Sequence, residues 1–110
     1  MVDLTQNWEA LTKRWIGHQG VSSGTMMRRP ALTLGGHTLV FLAKLHGPGM
    51  GAKIGSLDPA EIGLTDWRPL QPFKDKAPMR GWIIVGPGDV ALWDEIVKAA
   101  LTAARTKADA

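Results

Sequence analysis

Two apolar runs in this chain, Leu39-Val40-Phe41-Leu42-Ala43 and Trp82-Ile83-Ile84-Val85, do not alternate with polar residues. A half-solvated antiparallel strand alternates apolar with polar, so a sheet built from these runs must be dry on both faces there. The longest apolar run ends after five residues and is far too short to span a membrane. The chain's own share of the cover for two sheet faces comes from 110 residues, a single-domain length with no room for a second core. A hydrophobic share of 45%, including five Trp, is enough to provide it, and charged residues at 21% are too few for a disordered chain.

Those residues must do so by packing alone. There is no cysteine, which excludes disulfides and zinc-thiolate sites and fits a reducing cytoplasm. Met1-Val2-Asp3-Leu4 has neither a basic nor an apolar leader region, so the expectation is a cytoplasmic chain without a signal peptide.

Leu4, Trp8, Leu11 and Trp15 recur at steps of four, three and four, which predicts a helix with one apolar face. Asp3 stands at the N-cap and Gln6 three residues on, as in a capping box, while Gly17 and Gly20 mark the end. The tryptophans read as core rather than as a stacking platform for bases. Residues 21–45 read as strands. Ala31-Leu32-Thr33-Leu34 and Thr38 to Leu45 flank Gly35-Gly36, a hairpin signal. Pro30 should begin a strand or lie on an edge. His46 to Gly51 reads as a loop, with a short strand after it at Ala52-Lys53-Ile54. Asp58, Pro59 and Glu61 form a strong start for a short helix that Gly63 ends. Residues 64–78 read as irregular because of Pro69, Pro72 and Pro78. Met79 to Val85 is the last strand. Asp89 should cap a final helix that buries Val90, Trp93, Val97, Ala100, Leu101 and Ala104. The predicted class is α+β, an antiparallel sheet flanked by an N-terminal and a C-terminal helix in two layers. One domain is expected over residues 1–105, with 106–110 a frayed tail.

The helices leave two arrangements open. If both pack on one face of the sheet, the other face needs a partner chain, and a homodimer is the natural cover. If they divide between the faces, a monomer suffices.

In order and spacing, several short segments resemble one family. Gly24-Thr25-Met26-Met27, Pro30-Ala31-Leu32, Leu34-Gly35-Gly36 and Phe41 resemble the opening of TfoX N-terminal domains. Lys53 stands where that family carries a lysine. Pro72-Phe73 and Pro78-Met79-Arg80-Gly81-Trp82-Ile83-Ile84-Val85 resemble a later block, and Trp93 with the alanine-rich tail resembles the terminal helix. The similarity covers residues 20–105. YjbR-like proteins share the lysine and the tryptophan strand, and that branch stays open. The resemblance implies a TfoX N-terminal-like α+β domain and, for some members, regulation of transcription for DNA uptake. It supplies no catalytic residue set. Met27-Arg28-Arg29 departs from the aromatic residue and glycine usual in the family, which puts in doubt that this loop serves the same partner. Residues 47–51 and 68–72 also look unusual for it.

The residues themselves offer little chemistry. His18, His37 and His46 have no ligand spacing, so no metal is expected. Gly47-Pro48-Gly49-Met50-Gly51-Ala52-Lys53 matches no phosphate-loop fingerprint and reads as a hairpin turn. At Gly86-Pro87-Gly88, Asp89 would repel an anion. Ser22 and Ser23 lack an activating base. Asp58, Glu61, Asp89, Asp94 and Glu95 are explained by helix starts. No cofactor is expected. A net charge of +3 is mild for a nucleic-acid binder, and its basic pairs read as solvated surface. The leading expectation is a non-enzymatic regulatory or adaptor domain that acts through contacts with an unidentified protein. Its rival is direct nucleic-acid binding through Lys13, Arg14, Arg28 and Arg29.

Overall fold

A computed structural model of the chain describes residues 4–26, 28–43, 49–71, 75–77 and 79–109, with side chains to residue 105. The expectations placed on Asp3, Met27, residues 44–48, Pro72-Phe73 and Pro78 lie outside these.

The class is α+β, as the pattern predicts. Helix α1 (Thr5–Trp15) leads to strands β1 (Val21–Met26), β2 (Arg29–Leu34), β3 (His37–Ala43) and β4 (Gly49–Lys53). The short α2 (Pro59–Ile62), strands β5 (Trp67–Pro69) and β6 (Trp82–Val85), a 3₁₀ turn (Pro87–Leu92) and α3 (Trp93–Asp109) follow. The six strands form one sheet in the order β1-β2-β3-β4-β6-β5, and every pairing is antiparallel.

The apolar runs sit in its interior, and both faces are dry there. Leu32, Val40, Leu42, Met50, Ala52, Ile83 and Val85 join Trp8, Leu11 and Trp15 of α1 and Trp93, Ile96, Val97 and Leu101 of α3 in one cluster. Both long helices thus cover the same face. Ala31, Phe41, Ala43, Leu70, Trp82 and Ile84 form a second cluster on the other face, with Met26 packed against it. A shared helix layer does not leave this face open: Ala31, Phe41, Ala43 and Ile84 are at most 2% exposed and Trp82 is 8% exposed within the single chain. The reason given for a homodimer, an uncovered second face, is thereby removed. A bulge between Leu32 and Thr33 lets adjacent Leu39 and Val40 both join the helix-side core.

Glycine explains where β4 runs. Gly49, Met50 and Gly51 were expected in a loop and form strand instead. Gly51 faces Phe41 across the β3–β4 ladder, and a Cβ there would lie 2.0 Å from the Phe41 ring. The missing side chain lets that ring lean over β4 toward Trp82, with 5.8 Å between centroids.

Backbone bonds account for Pro30, which lies second in the interior strand β2 rather than beginning a strand or lying on an edge. The Ile54 N–H donates to Gly81 C=O (2.9 Å), so the even residues of β4 face β6 and its odd residues face β3. Gly51 stands opposite Phe41, so Val40 and Leu42 turn their backbone groups toward β2. Continuing the Ala31/Phe41 register puts Leu42 opposite Pro30, which has no N–H to give. The Arg29 side chain fills the gap: its Nε donates to Leu42 C=O at 3.0 Å.

The ends of several elements also differ from expectation. Leu4 occupies the N-cap of α1 with no side-chain cap bond, so Gln6 completes no capping box. Asp58 caps α2 as expected, accepting from Ala60 N–H at 2.9 Å. Residues 67–69, expected to be irregular, form an edge strand, and β6 begins at Trp82 rather than Met79. Asp89 caps no helix, because α3 starts at Trp93. Its buried carboxylate accepts from Thr65 N–H (2.8 Å), Thr65 Oγ1 (3.1 Å) and Asp66 N–H (2.6 Å). Asp66 returns the contact by accepting from Gly88 N–H at 2.8 Å. The two aspartates staple the loop before β5 to the turn before α3. Helix α3 runs through Asp109.

Candidate binding groove

The four basic residues of the nucleic-acid reading do not come together. Lys13 and Arg14 lie in the last turn of α1, near the start of β1, where Gly17 N–H bonds Val21 C=O at 2.9 Å. Arg28 and Arg29 lie beyond the other end of β1, about 20 Å away along a six-residue strand. Arg14 is engaged with Asp94 in a two-pronged ion pair, Nε to Oδ1 at 3.0 Å and Nη2 to Oδ2 at 2.9 Å. Trp15 Nε1 donates to the same carboxylate at 2.9 Å. Burial alone would raise the Asp94 pKa, but the bonds from Arg14 and Trp15, with the charges of Arg14 and Lys98, hold it below the ordinary carboxylate value. Arg29 is half-buried on Leu42, whereas Arg28 is exposed with a left-handed φ of 63°.

Other candidate residues are also dispersed. His18 packs edge-on against Trp15 at 5.4 Å, and His37 is exposed at the start of β3. Among the described residues no group of three or more His, Asp or Glu is placed to hold a metal ion. At Gly86-Pro87-Gly88 the backbone amide of Gly88 already holds the Asp66 carboxylate.

One surface feature does concentrate side chains. Among the described residues, four large apolar side chains are exposed: Ile16, Leu57, Trp67 and Met79. Three of them, Leu57 at 39%, Trp67 at 40% and Met79 at 37% exposure, line a single groove of about 360 Å³ beside β5. Among the described residues, Ile54, Pro59, Pro69, Trp82 and Ile83 complete its apolar lining and Arg80 is its one charged residue.

Local chemistry builds this groove. Its floor is a backbone crossing at which Ile54 N–H and Gly55 N–H both donate to Gly81 C=O, at 2.9 and 3.1 Å. Gly81 has φ +82°, and a Cβ there would lie 3.3 Å from Gly55 Cα, so glycine is needed for both conformation and approach. The Asp58 cap and Pro59 start α2 just after Leu57 and fix that wall. Opposite it, Met79 N–H bonds Leu70 C=O (2.8 Å) and Trp82 N–H bonds Met79 C=O (3.2 Å), which holds Met79 and Arg80 at the rim.

The groove adjoins β5, which no second described strand pairs on its outer side. Leu70 N–H donates to Trp82 C=O, and Gly86 N–H donates to Asp66 C=O. These bonds flank β5 and turn its even-numbered backbone groups toward β6. Trp67 N–H and C=O and Pro69 C=O therefore point outward. Pro69 sits where its missing donor costs no ladder bond.

None of Leu57, Trp67 and Met79 was singled out from the sequence as a site. The available signal was Trp67, the one tryptophan that falls in neither a helical pattern nor a predicted strand. Among known proteins no family model matches the chain, and neither a curated protein nor a solved structure matches it.

Proposed function

We propose that this chain is a non-enzymatic regulatory or adaptor domain that holds a protein partner in the groove beside β5. The observation that carries this reading is the convergence of Leu57, Trp67 and Met79, exposed apolar side chains that a solvent-facing surface has no reason to gather. Trp and Met are also residue types enriched at protein interfaces. The resemblance to TfoX N-terminal domains supports a regulatory role, linked in some members of that family to transcription for DNA uptake.

The rival nucleic-acid reading is weakened by the pairing of Arg14 with Asp94 and the bond from Arg29 to Leu42. Selection of a random peptide library on the immobilised chain tests the proposal. Trp67→Ser should abolish enrichment without unfolding the protein, since Trp67 is outside both buried clusters. Failure of any peptide to enrich in a Trp67-dependent way would overturn it. Tight binding to duplex DNA with a steep salt dependence would favour the rival instead.

A further inference from the structure

We infer that the occupant of the groove is an extended peptide segment that adds to the β5 edge and carries an acidic side chain toward Arg80. The inference rests on the binding-module reading above and specifies its ligand.

Three observations support it. First, Trp67 turns both its N–H and its C=O outward from the sheet, and Pro69 adds a third outward group, its C=O. An incoming strand can exchange two backbone bonds with Trp67 and donate one to Pro69, about 7 Å further along. A helix laid in the groove would leave those groups unused. Second, directly opposed residues on paired strands share a face. The Trp67 side chain lies on the groove face with Pro69 and Ile83, so the residue opposite Trp67 places its own side chain on that face, beside the Trp67 ring. That residue should be apolar. Third, among the described residues the groove has one charge, the Arg80 guanidinium, which makes no hydrogen bond or ion pair there. Its position next to Gly81 places it at the Leu70 end of β5. An antiparallel partner reaches that end two to four residues before its apolar anchor, on the same face. A carboxylate at that position would meet Arg80 with opposite charge at the rim of an apolar surface.

The shape also favours a peptide over a small apolar acid. Small-ligand sites enclose most of their ligand, whereas Leu57, Trp67 and Met79 each keep more than a third of their surface in solvent. An open trough beside an edge that is unpaired among the described residues instead matches strand addition.

The test is selection of a phage-displayed random dodecapeptide library on the wild-type chain and on Arg80→Glu. Wild-type clones should share a bulky apolar residue with Asp or Glu two to four positions before it. Arg80→Glu should replace that acid by Lys or Arg. A synthetic peptide made from an enriched clone should bind at least tenfold more weakly when the amide opposite Trp67 is N-methylated. Trp67-dependent clones that lack the acid, are indifferent to Arg80→Glu, or tolerate the N-methyl group would overturn this inference and leave the binding-module reading intact. Absence of Trp67-dependent clones would overturn both. Concentration-dependent dimerisation lost in Trp67→Ser would assign the groove to a second copy of the chain and also overturn the inference.

Discussion

Arg29 replaces the backbone donor that Pro30 removes from the middle of the sheet, and this substitution of side chain for backbone can be measured. Leu42 is buried, and its carbonyl faces the proline and accepts from Arg29 Nε at 3.0 Å. Arg29→Ala leaves that carbonyl without a donor inside the sheet, at a cost of about 1–3 kcal/mol. In a domain of this size that lowers Tm by roughly 4 °C per kcal/mol. Part of any Arg→Ala loss is packing of the aliphatic stem, so Arg29→Met, which keeps the stem, should lose nearly as much. The decisive perturbation is Pro30→Ala. It costs about 0.4–1 kcal/mol through the freer unfolded chain, but it restores an N–H aimed at Leu42. In that background Arg29→Ala should cost less than about 0.5 kcal/mol, which gives a coupling of at least about 0.5 kcal/mol. Urea unfolding followed by tryptophan fluorescence, with an unchanged m-value, reads all four corners of the cycle. If the two costs simply add within about 0.3 kcal/mol, the reasoning from sheet parity is wrong.

Three further outcomes are expected. Gly51→Ala must push the Phe41 ring aside and should cost about 1–3 kcal/mol, with Phe41→Leu recovering part of the loss; an unchanged urea midpoint would show that the ring does not cross β4 there. Trp93 buries an indole N–H with no hydrogen-bond partner among the described residues, so Trp93→Phe should cost less than about 1 kcal/mol while Trp93→Ala costs about 3–5 kcal/mol; similar losses for both in thermal melts would mean the indole N–H is satisfied. The Asp94 carboxyl has its folded-state pKa below the unfolded value near 4, so its contribution is complete well above pH 4 and fades as pH falls through the folded value. Asp94→Asn should therefore be less stable than wild type at pH 6 and should converge with it in strongly acidic urea titrations, whereas a gap that widens toward low pH would contradict the sign.

The elements that the sequence by itself determined are those whose cause is local. Trp8, Leu11 and Trp15 repeat with the helical period and are buried on one face of α1. Asp58 and Pro59 carry their own capping chemistry and start α2. The unbroken apolar runs at 39–43 and 82–85 require a sheet dry on both sides, and that requirement holds. Where the cause is a distant residue, the pattern misleads. Gly49 to Gly51 has the composition of a loop and becomes a strand, because Phe41 on a neighbouring strand fills the space above Gly51. Asp89 has the position of a helix cap and serves Thr65 and Asp66 more than twenty residues away. Both long helices share one face while the other is buried within the same chain, and no periodicity records that division. The groove belongs to this second kind. Leu57, Trp67 and Met79 belong to three separate segments and become neighbours only where Gly55 and Gly81 let two backbones touch, a contact that tertiary structure alone decides.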